Sequence, residues 1–361
     1  MPTPMIDWVI ADWVAERMAS RGAPATAALA GIDLRPLAAD AERRVVAYTG
    51  LVPHGPIPPP EAIDRSAWAK ANLASTRAMM EPLLTTAESK LGPVKGTGRI
   101  WLGAVSSAEI GVLIGFMAQR VLGQYELILL DELADGQEPR LLFVMPNLAD
   151  AVGRFEADEL EFVTWVTLHE VTHAVQFGGV PWLRDYLASQ IRELMESAQQ
   201  RINVERTAPG LPTREDLARI GRTAQRVGRA ALRLDLLGMV GSPRERAVMN
   251  RVQAVMAVIE GHAEHVMDAV APELLPSLPQ LRGAMDRRRK QQSGVAKYLG
   301  KLLGLEMKMR QYTQGKAFCD QLVAQAGTGA LNHLFSSPEA LPTLAEIEDP
   351  AAWLERNRAH L

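Results

Sequence analysis

The sequence predicts a mainly α-helical protein with one small β-hairpin or sheet. Apolar residues recur with a helical period over most of the 361 residues, whereas one stretch, 125–147, changes to two short apolar runs. The composition, 47% hydrophobic and 22% charged, is that of a soluble globular protein. A chain of this length can bury a large core and has room for one large domain or two.

Residues 1–100 are expected to form a helical N-terminal region. The periodicity predicts helices over 5–20 and 61–90. Between them lies the Pro-rich stretch VPHGPIPPP, 52–60. Because each proline lacks a backbone N–H and fixes φ, this stretch is predicted to be a loop.

The next part of the chain changes from a helical to a strand-like pattern. A well-buried helix is predicted over 105–123, with Ser106 or Ser107 as its N-cap. After it, the two apolar runs of 125–147 are separated by a polar segment that contains an Asp-Gly pair at 135–136. This pattern favours a β-hairpin and is the clearest strand signal in the chain.

Residues 101–361 are expected to form the larger, second region. A helix is predicted over 156–177, and the glycine pair at 178–179 is a suitable C-terminal stop. Another helix is predicted after Pro181. The residues from about 180 to 255 are interpreted as a helical insertion.

The remainder of this region is also predicted to be mostly helical. The segment 205–216 is a candidate linker or surface loop. A long helix is predicted over 242–270, with Ser242 as the N-cap and Pro243 at the first helical position. Helical periodicity continues to about residue 326 and is followed by a short helical tail.

Charge argues against a nucleic acid or an anionic membrane as the main partner. The net charge is −3 and the isoelectric point is about 6.2. The basic run at 287–290 is interpreted as a solvated helix end. Cys319 is the single cysteine, so no internal disulfide can form, as suits a reducing compartment.

The N-terminal segment does not have the pattern of a secretory leader. Asp7, Asp12 and Glu16 stand where a leader would need an uncharged run. No stretch approaches 18 consecutive apolar residues, so no transmembrane helix is predicted. The expected location is therefore cytoplasmic.

The segment TLHEVTHAVQF, 167–177, carries a possible metal site. On a helix, residues i and i+4 share a face, so His169 and His173 can both bind one metal ion. Glu170 lies about 100° around the helix from His169, where it can accept a proton from water without binding the ion. Two imidazole ligands and one general base at this spacing are typical of zinc hydrolases.

A catalytic zinc site needs a third protein ligand and an open position. Metzincins place Gly and His seven and ten residues after the first histidine, but here those positions are Gln176 and Gly179. The segment EGHAE instead offers Glu260 as a ligand, with Glu264 one turn later on the same face. We expect Glu264 to accept the free ring N–H of a ligand histidine and so to fix its tautomer.

Two interpretations without a zinc hydrolase remain open at this point. In the first, His169 and His173 are simply hydrogen-bonded histidines of a buried helix.

Two other histidines lie near Glu260 in the sequence. His262 and His265, on other faces of the Glu260 helix, are expected to be packing or surface residues, with His265 as the reserve ligand.

The second interpretation is a helical di-iron protein. Glu170 and His173 also form the E-x-x-H pair of ferritin-like sites. Such a site needs a second E-x-x-H pair. The positions three residues after Glu260 and Glu264 are alanine and methionine, so the second helix does not supply it.

The two motifs together resemble those of gluzincins of the aminopeptidase N and leukotriene-hydrolase type. The resemblance implies that Glu260 is the third zinc ligand. The later segment RQYTQGKAF matches their Tyr-x-x-Gly frame, which implies that Tyr312 stabilises the oxyanion and that Gly315 allows close helix packing. The chain departs from that group at Ile259, where the group has Asn, and in the 87-residue gap from His173 to Glu260.

Over most of its length the chain also resembles a bacterial family of zincin-like metallopeptidases. The resemblance rests on SAEIGVLIGFMAQRVLGQYE, TLHEVTHAVQF, EGHAEHVMD and EMKMRQYTQGKAF. Some members of that family are labelled as associated with deazaflavin-cofactor biosynthesis. The resemblance implies a zincin-like architecture with a helical N-terminal part and a helical insertion.

The function expected from this resemblance is zinc-dependent hydrolysis of a peptide or another amide. Zn²⁺ is the implied cofactor, Glu170 the base and Tyr312 the oxyanion donor. By analogy of fold, the strand RLLFVMP, 140–146, is expected to be the edge along which an extended substrate pairs. The alternative is a non-catalytic zincin-like protein that binds a partner and cleaves nothing.

Overall fold

The computed structural model of the chain describes residues 6–20, 29, 31–91, 97–126, 138–204, 242–277, 279, 283 and 305–361. Within these ranges, the side chains of 86–91, 97–103, 198–204, 273 and 305–313 are not described. The α-helices of this part are α1 (Trp8–Ala19), α2 (Leu34–Thr49), α3 (Arg65–Leu91), α4 (Thr97–Ala118), α5 (Met145–Phe155), α6 (Glu159–Gly179), α7 (Pro181–Val204), α8 (Pro243–Val270), α9 (Leu305–Ala326), α10 (Thr328–His333), α11 (Leu344–Glu348) and α12 (Pro350–Asn357). Its strands are β1 (Pro60–Ile63), β2 (Gly123–Glu126) and β3 (Arg140–Val144). Two short 3₁₀ helices span Ala271–Glu273 and Pro338–Ala340.

The strands form a three-stranded mixed sheet in the order β1-β3-β2. The central strand, β3, pairs parallel with β1 and antiparallel with β2. Its residues 141–144 are fully buried, as expected for an apolar strand covered on both faces. The sheet joins β1, from the first hundred residues, to two strands of the second predicted region.

Helix α6 lies in the main core, between α2 on one side and α8 on another. Its buried residues include Leu168, Val171 and Val175, which belong to the same apolar cluster as Val266 of α8. A second cluster gathers α7, α8, α9 and the C-terminal helices around Phe318. Helices α6 and α8, which carry the predicted metal ligands, therefore pack against each other.

A third cluster holds the N-terminal helices together. Helix α1 packs closely along α4, where a Cβ added at Gly111 would lie 2.7 Å from Cβ of Val14. The backbone N–H of Asp7 donates to Ser107 Oγ over 2.7 Å. The Asp7 carboxylate in turn caps α1 by accepting from the backbone of Val9 and Ile10.

The prediction of Ser106 or Ser107 as an N-cap is wrong. Helix α4 begins at Thr97, so both serines are inside it. Ser107 is buried and accepts a hydrogen bond from the backbone of Asp7, the N-cap of α1, instead. The cap signal was misleading because a serine preceding an apolar run also occurs where two helices pack closely.

The hairpin prediction is confirmed in its pairing and corrected in its bounds. β2 and β3 are antiparallel, with Tyr125 opposite Leu141. The second run ends as a strand at Val144, because Met145 begins α5 with Pro146 in its first turn. The Asp-Gly pair at 135–136 lies outside the described residues.

The predicted role of 140–146 as a substrate edge is wrong. Because β3 is the central strand, both of its sides are already hydrogen-bonded within the sheet. The edges of the described sheet are β1 and β2. β1 was missed because it spans the junction between the predicted loop, 52–60, and the predicted helix, 61–90, and its partner lies about 80 residues away. The helix itself begins only at Arg65.

The long helix before Glu260 begins as predicted. The hydroxyl of Ser242 accepts from the backbone of Glu245, whose carboxylate accepts from the backbone of Ser242, and Pro243 occupies the first turn. No helix in the described ranges is long and apolar enough to cross a membrane. The candidate linker at 205–216 and the basic run at 287–290 lie outside the described residues.

Candidate metal centre

The motif helix α6 is fixed at both ends. The carboxylate of Asp158 accepts from the backbone N–H of Glu161 over 2.9 Å and so caps the first turn. At the other end, a Cβ added at Gly178 would lie 3.0 Å from Cβ of Pro53. Small residues here let the loop after α2 pack directly on the end of α6.

Three predicted ligands converge between α6 and α8. The Nε2 atoms of His169 and His173 are 3.2 Å apart. Oε2 of Glu260 lies 3.8 Å from Nε2 of His169 and 3.7 Å from Nε2 of His173. His173 is buried, while His169 and Glu260 are half-buried. The ligand atoms of these three residues all lie within 4.8 Å of one another. Among the described residues, they form the group that could hold a metal ion.

The geometry fits a small divalent cation. Ligands about 2.0–2.1 Å from a tetrahedral zinc ion lie about 3.4 Å from one another. The three separations between these side chains scatter around that value. When both Nε2 atoms are without hydrogen, the three atoms are all acceptors, and a cation between them offsets their mutual repulsion.

The electrostatic environment favours neutral histidine at this site. Burial, and after it the neighbouring His173, lower the pKa of His169 to about 4, although Glu260 acts in the opposite direction. A neutral imidazole keeps a lone pair for a metal, whereas a protonated ring has none. His169 is thus ready to bind a metal at neutral pH without first losing a proton.

Glu170 lies beside this cluster, against β2. One carboxylate oxygen, Oε2, accepts from the backbone N–H of Tyr125 over 3.0 Å. Burial raises the pKa of Glu170 to about 7, against the lowering effects of His173 and the Tyr125 N–H. A carboxyl group with a pKa near neutrality is suited to accept and return a proton at physiological pH.

Gly123 makes room for this carboxylate. A Cβ at that position would lie 2.7 Å from Cγ of Glu170 and 3.1 Å from its Oε1. The strand approaches the helix this closely because residue 123 has no side chain. Neither Gly123 nor Tyr125 was predicted as part of the site, since a glycine just before a short apolar run more often marks a turn.

Both ligand histidines use their second ring nitrogen inside the protein. Nδ1 of His173 lies 2.8 Å from Oε1 of Gln176, and Nδ1 of His169 lies 3.1 Å from the sulfur of Met267. In the sequence, Gln176 was informative only because it stands where a metzincin has glycine. Its position one turn after His173 on the same helix was the signal that could have identified it.

The other predicted residues are placed less completely. Glu264 is half-buried on α8. The partners observed at the second ring nitrogens of the two ligand histidines are Gln176 and Met267 instead, so the predicted role of Glu264 at those nitrogens is not supported.

The side chain of Tyr312 lies outside the described residues, so its predicted role as oxyanion donor stays a prediction. The reserve ligand His265 instead contacts Tyr48 through Nε2 at 2.8 Å and Asp320 through Nδ1 at 2.7 Å.

The predicted role of Gly315 in helix packing is confirmed. Gly315 of α9 and Gly261 of α8 lie so close that a Cβ on either would overlap the backbone of the other helix. This close crossing leaves Glu260, next to Gly261, at the interface with α6. The small residues therefore help to place the third ligand.

The chain belongs to the family of zincin-like metallopeptidases, whose family model matches residues 6–354. Among solved structures, it is similar to a proposed hydrolase with a novel fold from Chloroflexus aurantiacus, with 30% sequence identity and a TM-score of 0.66. The match covers 97% of this chain and 98% of that one. None of the functionally curated proteins matches this chain. The predicted resemblance to zincin-like metallopeptidases is thus confirmed.

Proposed function

We propose that this protein is a zinc-dependent hydrolase of peptide or other amide bonds. His169, His173 and Glu260 would hold the metal, and Glu170 would act as the general base. The observation that carries the proposal is the position of the Glu170 carboxylate. It is close enough to His173 and Glu260 to interact with both electrostatically, and it contacts an edge strand of the sheet.

A bound zinc ion would act as a Lewis acid that lowers the pKa of water and polarises the substrate carbonyl. Glu170 removes a proton from the attacking water and later delivers it to the leaving amine. The Tyr125 N–H orients one oxygen of this carboxylate and leaves Oε1 for the proton.

The edge strand β2 is the proposed docking strand for an extended substrate. The N–H of Tyr125 points away from β3, because it donates to Glu170. In an antiparallel strand, alternate residues point their backbone groups to the same side. The backbone of Gly123 therefore also faces away from β3, and a peptide laid along this side would pass Glu170.

The test compares Glu170→Gln with wild type, both loaded with zinc. The amide keeps the size and the acceptor for Tyr125 N–H but cannot take a proton, so turnover of a fluorogenic peptide library should fall by about 10²–10⁴-fold. Zinc content, measured by mass spectrometry, should not change. The matched control is Glu159→Gln on the exposed first turn of the same helix, which should retain full activity.

Two results would contradict the proposal. Turnover by Glu170→Gln at a tenth or more of the wild-type rate would exclude Glu170 as the base. Absence of turnover by zinc-loaded wild type across the peptide and amide library would instead favour a zincin-like protein that binds a partner without cleaving it.

A further inference from the structure

The side chain of Gln176 connects both ligand-bearing helices at the metal centre. It is fully buried. Its Oε1 lies 2.8 Å from Nδ1 of His173 on its own helix. Its Nε2 lies 2.9 Å from the carbonyl oxygen of Ile259 and 2.8 Å from Nδ1 of His262, both on α8.

The partners of this amide determine which way it points. The Ile259 carbonyl can only accept a hydrogen bond, so the amide nitrogen must face it. The same nitrogen has a second hydrogen, which His262 Nδ1 accepts. Turning the amide over would bring its oxygen to about 2.9 Å from the Ile259 carbonyl oxygen, and two acceptors at that distance repel each other.

This orientation fixes the hydrogen on His173. Because Oε1 of Gln176 is an acceptor, Nδ1 of His173 must carry the ring hydrogen. The other nitrogen, Nε2, then has a free lone pair, and it faces His169 and Glu260. This is the tautomer that a metal ligand requires.

We propose that Gln176 is the positioning residue of the metal centre. It holds His173 in the tautomer with a free Nε2, and it ties α6 to the peptide that precedes Glu260. One amide thus sets the chemical state of one ligand and the position of another. The proposal rests on the metal centre of the proposed function. The tautomer of His173, however, can be measured on zinc-free protein.

The first measurement is the tautomer of His173 in zinc-free wild type. Long-range ¹⁵N–¹H spectra of protein labelled at histidine distinguish a ring nitrogen that carries hydrogen from one that does not. The His173 signal is assigned by its loss in His173→Ala. We expect hydrogen on Nδ1, and hydrogen on Nε2 would overturn the proposal without any need for a Gln176 variant to fold.

The second measurement is zinc affinity, by competition with a chromogenic chelator. Gln176→Leu removes the acceptor and should weaken zinc binding by about 10–100-fold, with His173 shifting to a mixture of tautomers. The matched control is Gln190→Leu on α7. Gln190 is also buried, but it bonds Ser189 and Arg251 rather than a ligand histidine. This control should bind zinc like wild type.

The outcomes separate this proposal from the proposed function. Zinc affinity of Gln176→Leu within twofold of Gln190→Leu would overturn the positioning role. If wild type itself does not bind zinc, the proposed function fails, and the tautomer of His173 still decides whether Gln176 acts on that ring.

Discussion

Burial and a hydrogen bond from the Tyr125 N–H have opposite effects on the pKa of Glu170, and burial has the larger effect. Its carboxylate is almost fully enclosed by α6 and β2, where water cannot solvate a charge well. The Tyr125 N–H stabilises the charged form but only in part, and the pKa remains raised to about 7. The zinc-free protein therefore binds a proton at this residue up to neutral pH.

The raised pKa predicts how the stability of zinc-free protein depends on pH. The folded-state pKa of Glu170 is above the unfolded value of 4.5, so the folded protein binds this proton more tightly than the unfolded chain does. The stability gained from this proton is complete below pH 4.5 and is lost as pH rises through about 7. Glu170→Gln has no such loss. One pKa unit corresponds to about 1.4 kcal/mol, so the variant should gain about 3 kcal/mol relative to wild type between pH 4 and pH 8.

The measurement is urea unfolding of both zinc-free proteins across this pH range. The difference between the two proteins removes the contribution of titrating groups far from residue 170, because both proteins contain them. An unchanged difference in the free energy of unfolding would show that Glu170 is ionised throughout and that its pKa is not raised.

Single residues were predictable where a motif fixes their spacing. His169, His173 and Glu260 converge because i, i+4 spacing and a second glutamate helix leave few other arrangements. Gln176 and Gly123 were not predictable as functional residues. The role of Gln176 depends on its neighbours on α8, and the role of Gly123 depends on Glu170 beside the strand. A single sequence does not show which residues become neighbours in the fold.

At the scale of elements, the crossing of α8 and α9 shows what glycine contributes. Gly261 and Gly315 face each other, and neither helix has room for a Cβ at that point. A glycine in a helix costs about 1 kcal/mol relative to alanine. Here that cost is offset by close contact between the two helices.

We predict that Gly261→Ala destabilises the protein. Despite the better helix propensity of alanine, the overlap with the backbone of Gly315 should lower the free energy of unfolding by about 1–3 kcal/mol or more. The control is Gly153→Ala in α5, where a Cβ would meet no atom within 4 Å. That variant should be neutral or slightly stabilised, as measured by chemical denaturation.

The result would contradict the packing argument if both alanine variants had the same stability. Loss of zinc affinity in Gly261→Ala would in addition show that the crossing places Glu260. Zinc affinity is therefore measured on both variants alongside unfolding.

The elements themselves were predicted unevenly. The α8 boundaries were predictable because Ser242, Pro243 and Glu245 form a local capping signal. The central position of β3 was not, because strand order depends on β1, which is short and starts at a proline. The pairing of strands far apart in sequence is decided by tertiary packing rather than by local pattern.

At the scale of the whole molecule, the metal centre joins helices from separate parts of the chain. His173 and Glu260 are 87 residues apart in sequence, yet their ligand atoms are 3.7 Å apart. A metal that binds the folded state but not the unfolded chain stabilises the fold by mass action. The stability of the protein should thus depend on zinc.

We predict that chelation lowers the melting temperature of wild type. At free zinc of 100 times the dissociation constant, binding adds about 2.7 kcal/mol to the free energy of unfolding. His173→Ala should show no such dependence on zinc. The check is a thermal melt of each protein with zinc and with a strong chelator, and an equal zinc effect on both would place the metal elsewhere.

The distance along the chain between the ligands also sets an order of events during synthesis. A chain emerging from the ribosome carries His169 and His173 before Glu260 has been translated, because synthesis proceeds from the N-terminus. Until then the nascent helix offers two imidazoles, a weak and incomplete site. The three-ligand centre can therefore be completed only after Glu260 has been translated, 87 residues after His173.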